Sequence, residues 1–150
     1  DPAHLRAAFA GAAPELRAIL EKVGQVNLWG LFRHPVADNW VGEKTAILGD
    51  AAHPTLPFLA QGANLAIEDA YVLARSCASG DIKVGLQIFE NARKSRVKRA
   101  IEAANSNARN YHLSGVQRHV AFAGLKVLGA VAPNAFLNRL SWLYDHDVTA

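Results

Sequence analysis

Residues 45 to 64 contain the side chains whose types and order could bind a polar ligand. A short apolar run from Thr45 to Leu48 ends at Gly49 and Asp50. Such runs are typical of buried strands, and open α/β sheets bind ligands beyond the carboxyl ends of their strands. An ionised aspartate only accepts hydrogen bonds, so Asp50 suits a sugar or polyol hydroxyl and would repel phosphate. A carboxylate that caps a local turn is the alternative.

A proline loop and a helix start follow this aspartate. Pro54 and Pro57 restrict the backbone and remove two amide donors, so the loop could form one wall of a site. A helix is expected to begin in the run Gln61-Gly62-Ala63-Asn64. The first N–H groups of a helix have no partner inside it and lie at the positive end of its dipole. This end would attract an anion or an electron-rich carbonyl group.

We interpret the titratable residues near this run as structural and not as catalytic. Histidine titrates near neutral pH, so His53 could handle a proton, but no partner acid or nucleophile is evident nearby in the sequence. A hydrogen-bonded structural histidine is therefore preferred. Glu68 and Asp69 lie near the helix start, where they favour its dipole, and we assign them no chemistry. The other histidines lack metal-ligand spacing, so no metal site is predicted.

Two helix faces are interpreted as structural features and not as binding sites. Small residues recur at helical spacing at Ala63, Ala66, Ala70 and Ala74. Close packing on a sheet explains this face better than a ligand contact. The run from Arg93 to Arg99 is mostly basic but has no interleaved aromatic residue, so a solvated helix face is preferred over a nucleic-acid site.

Composition limits the class of protein. The 150 residues are 51% hydrophobic with a net charge of +3, as expected of one globular domain or a large part of one. The chain begins at Asp1 and contains no methionine, so we treat it as a fragment. The lone Cys77 is interpreted as a small core residue and agrees with a cytoplasmic location. The apolar run 120 to 132 contains Lys126 and is shorter than the roughly 20 residues of a membrane span.

The expected elements are mostly helical with about two strands. Two short helices open the chain, and residues 26 to 36 and 45 to 48 alternate or cluster as strands do. The later helices are predicted over Ala63 to Cys77 with an end at Ser79-Gly80, from Asp81 to about Arg109, after Gly115, and from Pro133-Asn134. The strands need neighbours that this chain does not supply, so we expect these to lie upstream or in another chain.

In order, residues 45 to 70 closely resemble the second FAD-binding motif of the flavin-dependent aromatic hydroxylases, and most closely the salicylate hydroxylase branch. The matching residues are Gly49-Asp50, Ala51-Ala52-His53, Pro57, Gln61-Gly62, Asn64 and Ala66-Ile67-Glu68-Asp69-Ala70. The flanks agree, because Leu28 to Trp40 resembles the last strand of that family's substrate domain and Trp142-Leu143-Tyr144 resembles its terminal helix.

The resemblance implies a cofactor site. Asp50, next to Gly49, would bind the ribityl chain of FAD, and the Pro57 backbone would line the reacting side of the flavin. Gln61 and the amides near Gly62, Ala63 and Asn64 would face the N1 and O2 edge of the isoalloxazine ring, where a positive helix end stabilises negative charge. The resemblance identifies no catalytic side chain. In that family NAD(P)H reduces the flavin, and one atom of O2 is transferred to an aromatic ring.

The resemblance also implies an organisation. The fold class would be α/β, as the C-terminal segment of an FAD/NAD(P)-binding Rossmann-like fold. Residues 1–38 would end the substrate domain, 39–110 would belong to the FAD-binding domain, and 111–150 would form C-terminal helices. The chain lacks the G-x-G-x-x-G pattern that the family uses for the FAD pyrophosphate, so this segment alone is expected to be inactive.

The expected partners are a small aromatic substrate, the upstream part of the polypeptide and, as an open option, a second copy in a homodimer. No nucleic acid and no membrane span are expected. Two alternatives stay open: another FAD-dependent oxidoreductase, and a helical interaction module that uses residues 93 to 99 and 120 to 132. The second alternative leaves the order of residues 49 to 64 unexplained.

Overall fold

The structure is a computed structural model that describes residues 1–78 and 80–150, without the side chain of Phe136. It divides into two compact units, Asp1–Leu31 and Phe32–Ala150. The first unit contains α1 (Pro2–Ala8) and α2 (Pro14–Glu21), which confirms the two short opening helices. Asp1 caps α1 by accepting a hydrogen bond from the amide of Ala3 at 2.8 Å.

The second unit contains the other helices, which are α3 (Gly62–Cys77), α4 (Ile82–Tyr111), α5 (Gly115–Val131) and α6 (Ala135–Tyr144). Single 3-10 turns occur at Gly49–Ala51 and Pro57–Leu59. Asp81 caps α4 as predicted, because its carboxylate accepts from the amides of Lys83 and Val84 at 2.8 and 3.3 Å. The predicted helix end at Ser79-Gly80 lies partly outside the described residues, since Ser79 is not described.

The two predicted strands, over residues 26 to 36 and 45 to 48, are not confirmed. In the described part of the chain, strand-type pairing is limited to one isolated antiparallel bridge between Val41 and Ala46. A strand needs a neighbour for its backbone groups. Among the described residues, 26 to 36 form no backbone pairing, and 45 to 48 pair only with residues 40 to 42 through this bridge and two hydrogen bonds. Leu28 and Trp29 are fully or largely exposed. The structure therefore establishes a mostly helical chain and leaves the sheet unassigned.

The core of the second unit lies where α3 packs against α4. Its buried side chains include Leu65, Val72, Phe89, Val97, Trp40 and Leu143. Gly85 brings the helices close, since a Cβ atom built there would lie 2.6 Å from the carbonyl oxygen of Ser76. Nearer the start of α3, Arg93 of α4 donates to the Asp69 carboxylate and to the carbonyl of Leu65, so packing against α4 also holds the end of the helix that begins at Gly62. In α5, by contrast, no residue is buried.

Candidate functional site

Several of the predicted site residues line a groove between the loop after Gly49 and the start of α3. The groove has a volume of about 470 Å³, and its lining residues are Asp50, Thr55, Pro57, Ala60, Gly62, Ala63 and Ala66. Asp50 is exposed, so its oxygens are accessible to a ligand. The structure thus brings four of the predicted site residues, Asp50, Pro57, Gly62 and Ala63, around one space.

Gly49 forms the turn that carries Asp50 to the groove. Its φ of +56° lies in the left-handed region, which favours glycine. A Cβ atom built on Gly49 would lie 3.0 Å from the Cβ of Ala66, so α3 packs directly under the turn. Ala66 therefore has a packing role, as predicted, although it packs against a loop. Ala63 and Ala70, which share its small face, are exposed.

The start of α3 presents free amide donors to the groove. Ala60 has a φ of +51°, which reverses the chain before the helix, and Gln61 precedes α3 without a side-chain cap. The first helical bond runs from the amide of Leu65 to the carbonyl of Gln61 at 2.9 Å. Within the described residues, the amides of residues 62 to 64 have no backbone acceptor. These donors can hold an electron-rich oxygen or a negative charge.

The side chains of Gln61 and Asn64 lie elsewhere. Both line a second cavity of about 250 Å³, together with Glu68, Leu143 and Tyr144 among others. Gln61 is buried, and its Nε2 donates to the carbonyl of Leu59 at 3.3 Å. Neither residue is therefore among those that line the groove, although both belong to the start of α3.

The loop that walls the groove is held by hydrogen bonds from two distant residues. Asn107 Nδ2 donates to the carbonyl of Phe58 at 3.0 Å. The Tyr144 hydroxyl donates to the carbonyl of Leu59 at 3.1 Å. Because α4 and α6 carry these donors, both helices fix the wall that contains Pro57.

Asp69 lies behind the groove and has three hydrogen-bond partners, whereas the sequence predicted only an interaction with the helix dipole. Its carboxylate is fully buried. Oδ2 accepts from the amide of Gly49 at 3.0 Å and lies 2.5 Å from Nε2 of His53, while Oδ1 accepts from Nε of Arg93 at 2.7 Å. Burial would raise the pKa of Asp69, but these hydrogen bonds from His53, Arg93 and Gly49 lower it below its ordinary value.

Glu68 forms the outer half of the same network. It accepts from both Nε and Nη2 of Arg96 at 2.7 Å, and Nη2 of Arg93 lies 2.7 Å from its Oε2. Burial opposes ionisation, yet the hydrogen bonds from Arg96 and Arg93 keep the pKa of Glu68 below its ordinary value. The helix-dipole interpretation of Glu68 and Asp69 is therefore insufficient. Both residues are held by ion pairs with α4.

The solvated-face interpretation of residues 93 to 99 is wrong for its inner residues. Arg93 is 2% exposed and paired with both acids of α3. Arg96 also donates to the carbonyls of Trp142 and Leu143 at 3.1 and 3.2 Å, and the Arg99 guanidinium lies 3.8 Å from the ring centroid of Trp142. Arg93 and Arg96 therefore face α3 and α6, because every third or fourth position of α4 points inward, while Lys98 is exposed.

The preferred interpretation of His53 as a structural histidine fits its surroundings. Its ring is buried, lies 5.1 Å from that of Trp40 between centroids, and contacts the Asp69 carboxylate. The partner acid was missed because it lies 16 positions away. A usable signal did exist: Asp69 falls on the buried face of α3 with Leu65, Val72 and Ser76, and a buried acid requires a partner.

Three further observations concern the cysteine, metal binding and membrane spans. Cys77 is a free thiol of intermediate exposure, so it is only partly a core residue. The described residues contain no cluster of acids, histidines and cysteine that could hold a metal ion. None of the helices in the described part is long and apolar enough to cross a membrane.

Comparison with known proteins identifies the family to which this chain belongs. Residues 8–104 match the model of the FAD binding domain family. The chain belongs to this family, and FAD is therefore its cofactor.

Three curated relatives are similar to this chain. A 3-amino-4-hydroxybenzoate 2-monooxygenase, PtmB3, of Streptomyces platensis is 36% identical over 114 residues, which are 75% of this chain and 29% of the relative. A 3-hydroxybenzoate 6-hydroxylase of Klebsiella oxytoca is 30% identical over 138 residues, 91% of this chain and 34% of the relative. A 6-hydroxynicotinate 3-monooxygenase of Bordetella bronchiseptica is 35% identical over 108 residues, which are 70% of this chain and 28% of the relative. The chain spans about a third of the length of such relatives.

Proposed function

We propose that this chain is the part of an FAD-dependent aromatic hydroxylase that holds the ribityl chain and the isoalloxazine ring. The observation that carries the proposal is the shared groove, which places the Asp50 carboxylate and the free amides of α3 on one surface. A hydrogen-bond acceptor at one end and clustered donors at the other match a polyol chain joined to a ring with an electron-rich edge.

The proposal assigns roles to the predicted site residues. Asp50 accepts hydrogen bonds from ribityl hydroxyls, and Gly49 allows the turn that presents it. The amides of Gly62, Ala63 and Asn64 face the N1 and O2 edge of the ring and stabilise negative charge there. The Pro57 backbone lines the reacting side. Bound FAD supplies the redox chemistry, while these residues orient it.

The activity we propose for the whole protein is hydroxylation of a small aromatic acid, salicylate-like in class, with NAD(P)H and O2. The names of the relatives support this, since two of them act on hydroxybenzoates. Residues 1–38 would close the substrate domain, 39–110 would belong to the FAD-binding domain, and 111–150 would add C-terminal helices. Segments 26 to 36 and 45 to 48 would pair with strands from the rest of the polypeptide, in a cytoplasmic monomer or homodimer.

Asp50→Ala tests the cofactor role. In the full-length protein, we expect FAD affinity to fall by about tenfold to a hundredfold, since hydrogen bonds to a charged group are lost. The measurement is titration of the apoprotein with FAD, and circular dichroism should show an unchanged fold. Glu43→Ala is the matched control, because Glu43 is an exposed acid outside the groove. Equal affinity in the wild type and Asp50→Ala would contradict the role.

A second experiment tests the reaction. Full-length protein should oxidise NAD(P)H in response to a hydroxylated benzoate and incorporate one atom of ¹⁸O from labelled O2 into the product. NAD(P)H oxidation coupled to another acceptor, without label in the product, would instead indicate a different FAD-dependent oxidoreductase.

A further inference from the structure

A side chain outside the groove forms a hydrogen bond with the turn that presents Asp50. Gly49 donates its amide to Asp69 Oδ2 at 3.0 Å, and its carbonyl accepts from the amides of Ala52 and His53 at 3.0 and 2.8 Å. Both backbone groups of Gly49 are therefore engaged. Of the hydrogen bonds that Gly49 forms in the described structure, the one to Asp69 connects the turn to α3.

Asp69 can hold this turn only as a carboxylate. Its two oxygens meet donors from Gly49, His53 and Arg93 in a fully buried position. The isosteric asparagine has one acceptor oxygen and one donor group. The charged guanidinium of Arg93 should hydrogen-bond to that oxygen. The asparagine NH2 group would then face the Gly49 amide, so two hydrogen-bond donors would oppose each other.

We propose that Asp69 is a positioning residue for FAD, which acts by fixing the Gly49 turn and thereby the Asp50 carboxylate. The inference rests on the proposed role of Asp50 and adds a residue that lines no part of the groove. Arg93 and His53 complete the arrangement: Arg93 binds Oδ1 from α4, and His53 binds Oδ2, beside the Gly49 amide, from the loop.

The test is a double-mutant cycle on FAD affinity in the full-length protein. Asp69→Asn should weaken FAD binding by about tenfold or more. In an Asp50→Asn background the same change should have almost no further effect, because the group that Asp69 positions is already gone. Glu68→Gln is the matched control: Glu68 is the adjacent acid on the same helix and shares Arg93, but it does not contact Gly49. Its effect on FAD affinity should be small.

A rescue variant separates positioning from general stability. Adding Arg93→Met to Asp69→Asn frees the asparagine oxygen to accept from Gly49, while Glu68 keeps its two bonds to Arg96. FAD affinity should return to within about threefold of the wild type. If Asp69→Asn alone does not fold, the double variant still tests the positioning role. It restores a hydrogen-bond acceptor for the Gly49 amide and removes Arg93, which would otherwise face the asparagine amide.

The outcomes distinguish the inference from the proposed function. Unchanged FAD affinity in folded Asp69→Asn, an undiminished loss in the Asp50→Asn background, or no recovery in the double variant would each overturn the positioning role. If Asp50→Asn itself binds FAD like the wild type, the proposed role of Asp50 fails first, and the inference fails with it.

Discussion

At the residue scale, Gly62 gives the groove its depth beside Asp50. A Cβ atom built there would lie 3.1 Å from Thr55 Oγ1 and 3.9 Å from Asp50 Oδ1, so a methyl group would enter the space between the two polar side chains. Gly62 is also the first residue of α3, where its amide is one of the free donors. The absence of a side chain therefore serves ligand approach.

Gly62→Ala should separate binding from stability. We expect FAD affinity to fall by about fivefold to tenfold, while the free energy of unfolding of the apoprotein stays level or rises by up to about 1 kcal/mol, since alanine is the better helix former. FAD titration and urea unfolding measure the two effects. Gly129→Ala is the control, because a Cβ atom at Gly129 would have no neighbour within 4 Å. Undiminished FAD affinity in Gly62→Ala would refute this view of the groove.

Sequence reasoning named four of the residues that line the groove but missed those that support it. Gly49, Asp50, Pro57 and Gly62 lie within one short run, so their order alone indicated a site. The partners of Asp69 are separated from it by 20, 16 and 24 positions, and only the packing of α3 on α4 brings them together. A local pattern cannot specify such pairs.

At the element scale, the crossing of α3 and α4 sets the position of the helix tip. Gly85 lies at this crossing, and its absent side chain permits backbone contact with Ser76 and Cys77. The helices themselves were predictable, because caps such as Asp81 and helical spacing are local signals. The strands were not confirmed, because a strand depends on partners that lie elsewhere in space.

Gly85→Ala should destabilise the protein despite its better helix propensity. A Cβ atom there would lie 2.6 Å from a carbonyl oxygen and 2.9 Å from a Cα atom, and backbone atoms cannot move aside as a flexible side chain can. Overpacking of this kind costs about 1–3 kcal/mol, which exceeds the gain of about 1 kcal/mol from removing a helical glycine. Urea unfolding measures the net change. A Gly85→Ala variant as stable as the wild type would contradict the close crossing.

At the scale of the whole molecule, the buried acids link stability to pH. The folded-state pKa values of Glu68 and Asp69 lie below their ordinary values of 4.5 and 3.8. As pH falls past the ordinary values, the unfolded chain takes up protons first. The stabilisation from these ion pairs is therefore complete above about pH 5 and is lost as pH falls through the lowered pKa values.

Glu68→Gln should flatten this acid dependence. Between about pH 5 and pH 2, its free energy of unfolding should decrease less steeply than that of the wild type, because one carboxylate with a lowered pKa is absent. Above pH 5, Glu68→Gln should be the less stable protein, since Arg93 and Arg96 lose an ionised partner. Urea unfolding at a series of pH values tests both statements. Parallel curves for the two proteins would show that Glu68 does not contribute to acid sensitivity.

The most direct test of the central claim is a crystal structure of the full-length protein with FAD bound. The account predicts that a ribityl hydroxyl lies within hydrogen-bond distance of Asp50, about 3 Å, and that the O2 edge of the ring faces the amides of Gly62 and Ala63. A flavin bound away from the groove, with Asp50 in contact only with solvent or protein, would contradict it.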